Sequence, residues 1–386
     1  MRGWSNVLDS AGLNSNVLRS RWFSFGLLAL GLALLPFLID ASMGRSWVRL
    51  LDLALLYVML ALGLNIVVGF AGLLDLGYIA FYAVGAYMYA LLASPHLTSN
   101  FAWLAQTFPN GLHNSIWFVI PFGAGLAAMF GILLGAPVLK LRGDYLAIVT
   151  LGFGEIMRIL MNNLNAPVNI TNGPQGITLI DPISIGGISL AKTQTLFGIQ
   201  FPSVYLYYYL FLVLAIITIV VCIRLQDSRL GRAWMAIRED ELAAKAMGIN
   251  VRNVKLLAFS LGATFGGVAG AMFSAFQGFV SPESFTLNES IIVLAMVVLG
   301  GLGHIPGVVL GAVLLSLFPE VLRHTVAPLQ MMLFGKVVIE SEVLRMMLYG
   351  LAMVLIMLYR PKGLWPAPEH GINPSSRADA GKAQAA

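Results

Sequence analysis

The sequence has little charge and almost no cysteine. Asp, Glu, Lys and Arg make up 11% of its 386 residues, whereas soluble domains carry about 25%. The single cysteine, Cys222, excludes an intramolecular disulfide and a cysteine-rich metal site. The five histidines are scattered without the spacing of metal ligands. The sequence also lacks the Gly-x4-Gly-Lys-Ser/Thr nucleotide loop and the His-Glu-x-x-His and Gly-x-Ser-x-Gly motifs of hydrolases. These absences argue against an enzyme and against nucleotide binding by this chain.

Apolar residues dominate the chain instead. They make up 58% of it, and the mean hydropathy is +0.83. So much apolar surface needs lipid as its solvent. The sequence predicts an all-α, polytopic membrane helix bundle of about ten spans, with eight to ten possible. The predicted spans are 24–40, 50–69, 76–93, 116–138, 145–162, 203–223, 256–276, 289–301, 306–319 and 343–359.

The eighth and ninth spans are short and are divided by a run rich in glycine, residues 300–307. Such a run indicates either a tight turn between two spans or a pair of half-helices.

The distribution of basic residues predicts the orientation. With the N-terminus inside, 16 of the 23 Lys and Arg residues fall in inside segments and 6 fall outside. This bias favours both termini in the cytoplasm. The net charge of +5 therefore serves topology, and nucleic acid is not an expected partner. The partner predicted from composition is the lipid bilayer.

Three parts of the chain follow from these spans. Residues 1–23 are predicted to be a cytoplasmic segment before a retained first span, because no signal-peptide cleavage site follows that span. Residues 24–360 form the transmembrane domain, with an ordered external loop at 163–202 and a cytoplasmic loop at 224–255. Residues 361–386 are predicted to be a disordered cytoplasmic tail.

The basic segment, residues 224–255, carries seven Lys and Arg residues. Asp240 is placed to cap a short helix over 241–247, and Gly248 to end it. Glu241 and Lys245 are spaced for an i,i+4 ion pair. A preceding turn, 230–237, presents Trp234 and Ile237 on one side and Arg232 and Arg238 on the other. The segment is either a solvated loop that fixes topology or a docking element for a cytoplasmic partner, and a capped helix with a large apolar side chain favours docking.

Glu155 and Arg158 are the clearest charges within a predicted span. Glu155 is ten residues into its span, which places it about 15 Å deep. Their i,i+3 spacing allows a structural ion pair, and the alternative is a polar lining for a substrate path. Asn65 and Gln277 are weaker path candidates, as are Asp52 and Asp75, which are expected near the membrane interfaces.

Small residues recur at four-residue spacing, a pattern of helix packing in membranes or of a sliding surface. The sets are Gly131/Gly135, Gly262/Gly266/Gly270 and Gly303/Gly307/Gly311.

Several stretches together resemble one known family, the LivM-type permease subunits of bacterial high-affinity branched-chain amino-acid ABC importers. The stretches are GLNIVVG at 63–69, LRGDYLAIVTLGFGE at 141–155, GRAW at 231–234, REDE at 238–241, QGFVSPESF at 277–285 and RPKGL at 360–364.

The resemblance implies a multi-pass protein of the bacterial inner membrane and a set of partners. These are a second, related permease subunit, two cytoplasmic ATPase subunits and a periplasmic amino-acid-binding protein that delivers leucine, isoleucine or valine. ATP and magnesium are then bound by the ATPase subunits, and this chain binds no cofactor.

The resemblance also places the coupling helix, which contacts the ATPase, within residues 231–248. Part of this segment loosely follows the Glu-Ala-Ala…Gly loop of ABC importers. The candidate coupling residues are Gly231, Arg232, Trp234, Arg238, Glu239, Asp240, Glu241, Ala243, Ala244 and Gly248.

Two alternatives stay open at this stage. The same machine with another substrate, such as urea, a short amide or another amino acid, is compatible with the sequence. An ion-coupled secondary transporter belongs to a different class, and it would need paired inverted halves and an acidic coupling site. No clear repeat is visible, and Glu155 has its own arginine partner.

Overall fold

A computed structural model describes residues 21–108, 112–114, 116–139, 141, 143–185, 188–196, 199–334, 341–360 and 363–365. The described chain is predominantly helical, which confirms the all-α class. Its α-helices are α1 (Arg21–Met43), α2 (Arg45–Asn65), α3 (Ile79–Leu92), α4 (His96–Asn100), α5 (Ala102–Thr107), α6 (Ile116–Val138), α7 (Asp144–Asn163), α8 (Ser203–Asp227), α9 (Arg229–Glu239), α10 (Glu241–Ala246), α11 (Val251–Gln277), α12 (Leu287–Gly300), α13 (Ile305–Phe334) and α14 (Ser341–Tyr359).

Every segment predicted as a span coincides with or overlaps one of these helices. Within the described residues, six helical stretches are long and apolar enough to cross a membrane. They are Arg45–Phe70, Ile116–Val138, Ser203–Asp227, Val251–Gln277, Pro282–Gly300 and Ile305–Met332. The chain is therefore a multi-pass membrane protein, and ten crossings remain a prediction. Residues 1–20 of the predicted N-terminal segment, and 361–362 and 366–386 of the predicted tail, lie outside the described residues.

Contacts between distant turns define two ends of the bundle. At one end, called the basic end because it holds the basic segment, the backbone N–H of Leu364 donates to the Leu299 carbonyl at 2.7 Å. At the opposite end, the N–H of Asp181 donates to the Ala93 carbonyl at 2.7 Å. The long helices run alternately toward one end and the other.

The described residues of the loop predicted to be external, 163–202, lie at the opposite end. The loop contains a 3₁₀ turn at Gly173–Gln175 and two small antiparallel hairpins, β1 (Ser184–Ile185) with β2 (Ile188–Ser189) and β3 (Gln194–Leu196) with β4 (Ile199–Phe201). Ile177 pairs with Val280 of the segment that follows α11, so the loop closes over the end of the central helix.

Helix α11 lies at the centre and packs against α2, α3 and α6. Glycine permits these close approaches. A Cβ at Gly262 would lie 2.6 Å from Val67 Cγ2, and one at Gly131 would lie 2.8 Å from the Ala263 Cβ. Gly303 does not belong to the helical face predicted with Gly307 and Gly311. It lies in the turn before α13 with φ +79°. Glycine adopts this conformation without strain, whereas a residue with an L side chain does not.

The turn between α12 and α13 separates two candidate spans, Pro282–Gly300 and Ile305–Met332, and whether both cross fully stays a prediction. Helix α12 has 14 residues, and α13 has 30 and continues to Phe334 rather than ending at 319. Pro319 lies inside α13, and a membrane helix tolerates an internal proline when neighbouring groups satisfy the freed carbonyl.

Candidate functional site

The basic segment folds into two short helices at the basic end, α9 and α10, which we call the helical pair. Helix α9 is capped at its start by Ser228, whose Oγ accepts a hydrogen bond from the Gly231 N–H at 3.1 Å. Trp234 and Ile237 are buried beneath it. The Trp234 indole N–H donates to the Val254 carbonyl at 2.7 Å, so the expected apolar side of the segment is fixed to the start of α11.

Asp240 caps α10 as predicted. Its Oδ1 accepts hydrogen bonds from the N–H groups of Leu242 and Ala243 at 2.8 and 3.0 Å. Helix α10 ends at Ala246, and Gly248 follows with φ +85°, a left-handed conformation typical of helix C-termini. Residues 241–246 therefore form a short helix with a defined start and end, followed by Met247 at the C-cap, rather than a solvated loop.

The predicted Glu241–Lys245 pair is wrong. The Glu241 carboxylate instead accepts from the Lys255 ammonium at 2.8 Å, and Lys245 is exposed. Lys255 lies on α11 with only 7% of its side chain exposed. The physical reason is burial, because a lysine held inside needs a charged partner more than an exposed one does. The pair binds α10 to the central helix.

Arg232 and Arg238 are both exposed, on the side opposite Trp234 and Ile237 as predicted, but they have different partners. Arg232 is exposed and donates to the Asp227 carbonyl at 2.8 Å. Arg238 extends toward the end of α2, and its Nη1 donates to the Gly69 carbonyl at 2.5 Å. That carbonyl ends the helix formed by α2 and a π-helical turn, Ile66–Phe70, where a cation is stabilised by the helix dipole.

The outer surface of the helical pair is apolar at its tip. Leu242 and Met247 are 68% and 84% exposed. Two grooves flank α10, one of about 230 Å³ toward the 71–74 turn and one of about 500 Å³ toward the start of α11. Glu239 and Ala243 share the exposed side, whereas Ala244 is buried against the bundle. The pair thus offers a convex apolar tip between two concave, charged grooves.

Glu155 and Arg158 form the expected i,i+3 ion pair. Arg158 donates through Nε and Nη2 to the same Glu155 oxygen, at 3.0 and 2.5 Å. Its Nη1 also reaches Glu283, at 3.4 Å, in the 3₁₀ turn Pro282–Ser284 after α11. That contact places Arg158 toward the opposite end. Glu155 is 38% exposed at its side chain, so the pair lies on the surface of this chain and not within its core.

The other path candidates lie apart. Asn65 is buried at the basic half, and its Oδ1 accepts from the Gly303 N–H at 3.0 Å. Gln277 lies at the opposite end and accepts from Arg49 at 2.6 Å. Among the described residues the structure does not bring Asn65, Gln277 and the Glu155–Arg158 pair into one site.

Two acidic residues expected near the interfaces are enclosed by protein. Asp52 is 0% exposed and Asp75 is 2% exposed. Both are surrounded by packed helices, which sequence spacing does not reveal. The sequence reading also missed three features: the Ser228 cap, the Lys255 partner and the contact of Arg238 with Gly69. Only the cap has a local signal, a serine directly before a helical run.

These features define a class: a multi-pass helical membrane protein in which a rigid helical pair projects from one end and is bonded to the spans. Comparison with known proteins identifies the family. A family profile described as the permease component of branched-chain amino acid transport systems matches residues 46–357. The chain belongs to this family, whose members are transport components rather than enzymes.

Individual relatives agree with the family. The chain is 42% identical to the high-affinity branched-chain amino acid transport system permease protein LivM of Escherichia coli, over 92% of this chain and 77% of that one. It is 27% identical to a probable LivM of Methanocaldococcus jannaschii, over 81% and 90%. It is also 24% identical to the permease LivH of Salmonella typhimurium, over 81% and 92%. No solved structure matches the chain.

Proposed function

We propose that this chain is one of two related membrane subunits of an ABC importer that carries leucine, isoleucine and valine across the bacterial inner membrane. The helical pair carries this proposal. A short helix that is capped at both ends, bonded to α11 by Lys255 and apolar at its tip is suited to transmit motion from a partner that hydrolyses ATP.

The helical pair then faces the cytoplasm, and two ATPase subunits dock there. This orientation puts both termini inside and makes ten crossings, and the alternating direction of the long helices supports it. The external loop and its hairpins face the periplasm, where an amino-acid-binding protein docks. ATP and magnesium stay with the ATPase subunits, and this chain binds neither.

The second permease subunit completes the conduit. Family members named LivM and LivH both resemble this chain, which supports a pore of two related subunits. The Glu155–Arg158 pair is exposed on the surface of this chain, and we assign it to a polar part of the substrate path. Asn65 and Gln277 are path candidates of the same kind. An apolar conduit discriminates weakly among the three substrates, since one methylene is worth about 1–3 kcal/mol.

Reconstitution tests the function directly. The chain is placed in vesicles with its second permease and ATPase subunits, with binding protein outside and ATP inside. We expect uptake of labelled leucine and valine that stops without ATP and is not reduced by excess urea. Uptake without any ATPase subunit would contradict the proposal, and so would transport of urea in preference to leucine.

A further inference from the structure

Arg238 is exposed on one side and on the other lies against a notch made by three glycine backbones. Its Nη1 bonds the Gly69 carbonyl at 2.5 Å. A Cβ at Gly303 would lie 2.9 Å from the same nitrogen, and a Cβ at Gly72 would lie 2.8 Å from the Arg238 Cγ. A side chain at either glycine would therefore displace the arginine. Glycine at these positions leaves room for the long cationic side chain that extends from α9.

Gly69 belongs to the π-helical turn that ends the α2 helix. A π-helical turn holds one more residue than the α-helix around it, and such turns are frequent at functional sites. Carbonyls at a helix end lack partners within the helix, and a guanidinium is a strong donor to them. Arg238 thus holds the end of α2 in this conformation.

Asn65 bonds the same end of α2 to the turn between α12 and α13. Its Oδ1 accepts from the Gly303 N–H at 3.0 Å, and the residue is 1% exposed. Its Nδ2 is buried and has no hydrogen-bond partner. A buried donor without a partner costs free energy. The junction of α9, α2 and the α12–α13 turn therefore leaves one strong donor unsatisfied in the conformation seen here.

We infer that Arg238 is a positioning residue that carries displacement of the helical pair to α2 and to the α12–α13 turn. The inference rests on the proposed function and deepens it. Along the chain, the helical pair adjoins only α8 and α11. The contacts of Arg238 add a second route, through space, into helices far away in sequence. When α9 moves, Arg238 pulls on the Gly69 carbonyl and separates from the backbone at Gly303.

The test compares variants of Arg238 in the reconstituted complex, with leucine uptake and ATP hydrolysis measured in the same vesicles. Arg238→Ala is expected to lower uptake per ATP by about tenfold, the effect of one charge-assisted hydrogen bond, while assembly and basal hydrolysis persist. Arg238→Lys should recover part of the ratio, because an ammonium still donates one bond. The matched control is Arg229→Ala, which removes an exposed arginine at the other end of α9.

A second measurement distinguishes a positioning role of Arg238 from a purely structural one. Hydrogen exchange of residues 66–73 should respond to ATP in the unaltered complex and in Arg229→Ala, but not in Arg238→Ala. If Arg238→Ala does not assemble, Arg238→Gln replaces it, since glutamine keeps a polar donor on a shorter, uncharged side chain.

Three outcomes decide the matter. An unchanged uptake per ATP in the Arg238 variants overturns the inference and leaves the proposed function intact. Uptake and hydrolysis that fall in proportion, with the exchange response unchanged, also overturn it, because Arg238 is then only structural. Absence of ATP-dependent uptake in the unaltered complex overturns the proposed function, and the inference with it.

Discussion

The ammonium of Lys255 and the carboxylate of Glu241 lie 2.8 Å apart, although the two residues are fourteen positions apart in the chain. The lysine side chain is 7% exposed and that of the glutamate is 34% exposed. This ion pair and the hydrogen bond from Trp234 to Val254 connect both α10 and α9 to the start of α11. Force applied to α10 by a partner therefore reaches the central helix of the bundle.

Exchanging the two charges tests that connection. Lys255→Glu alone places two carboxylates together and should detach α10 from α11, raising hydrogen exchange over 241–247. The double change Lys255→Glu with Glu241→Lys should restore protection in part, because the attraction is re-formed with the partners reversed. The control is Lys245→Glu, an exposed position on the same helix. Equal exchange in the single and double variants would contradict a direct pair.

The helix itself is tested by removing it. Replacing residues 241–247 by a Gly/Ser linker should leave the protein inserted, because the spans are unchanged, but should abolish both leucine uptake and co-purification of the ATPase subunits. Normal uptake by this variant would contradict a docking role for the helical pair.

A single substitution at the tip of the helical pair tests docking more specifically than removal of the helix. Leu242→Asp places a charge on a side chain that is 68% exposed and should weaken ATPase co-purification, since a carboxylate at a docking contact must be desolvated. Leu179→Asp is the matched control. Leu179 is 75% exposed in the loop at the opposite end, so co-purification should not change. Equal loss in both variants would point to general damage.

The limits of the sequence reading are visible in this same segment. The Asp240 cap, the Gly248 terminus and the burial of Trp234 were predictable, because capping and helical periodicity depend on residues a few positions apart. The Glu241–Lys255 pair and the Arg238–Gly69 bond were not predictable. Their partners meet only after α10 packs against α11 and α9 packs against the end of α2. Spacing along the helix favoured Lys245 as the partner of Glu241. In the folded chain the buried Lys255 is the partner instead.

The same distinction applies to the spans. Hydropathy predicted where the helices lie, and the family resemblance was confirmed. The extension of α13 past Pro319 and the enclosure of Asp52 depend on tertiary packing, which local sequence does not reveal. The sequence also grouped Asn65, Gln277 and Glu155 only by their polarity, and the structure separates them.

Glu155→Gln tests the proposed polar path. The change removes the charge that Arg158 neutralises and keeps the shape of the side chain. We expect leucine uptake to fall several-fold while docking of the binding protein stays unchanged. Glu283→Gln serves as the control, because Glu283 bonds the same arginine at the longer distance of 3.4 Å and is 64% exposed. Unchanged uptake in Glu155→Gln would leave the pair with a structural role.

The last prediction concerns the close contact of α11 with α3. A Cβ at Gly270 would lie 2.8 Å from the Ala86 backbone nitrogen and 3.0 Å from the Tyr82 carbonyl carbon. Backbone atoms cannot rotate away as a side chain can, so Gly270→Ala must push two central helices apart. We expect a loss of about 1–3 kcal/mol in the free energy of unfolding, the usual cost of overpacking.

Gly152→Ala is the matched control for that change. Gly152 lies within α7, and a Cβ there meets no atom within 4 Å. Alanine favours helix over glycine by about 1 kcal/mol, so this variant should be neutral or slightly more stable in thermal unfolding of the purified protein. Because the two substitutions are chemically identical, a lower melting temperature in Gly270→Ala alone isolates the helix contact. Equal melting temperatures would show that α3 and α11 can separate without cost at this point.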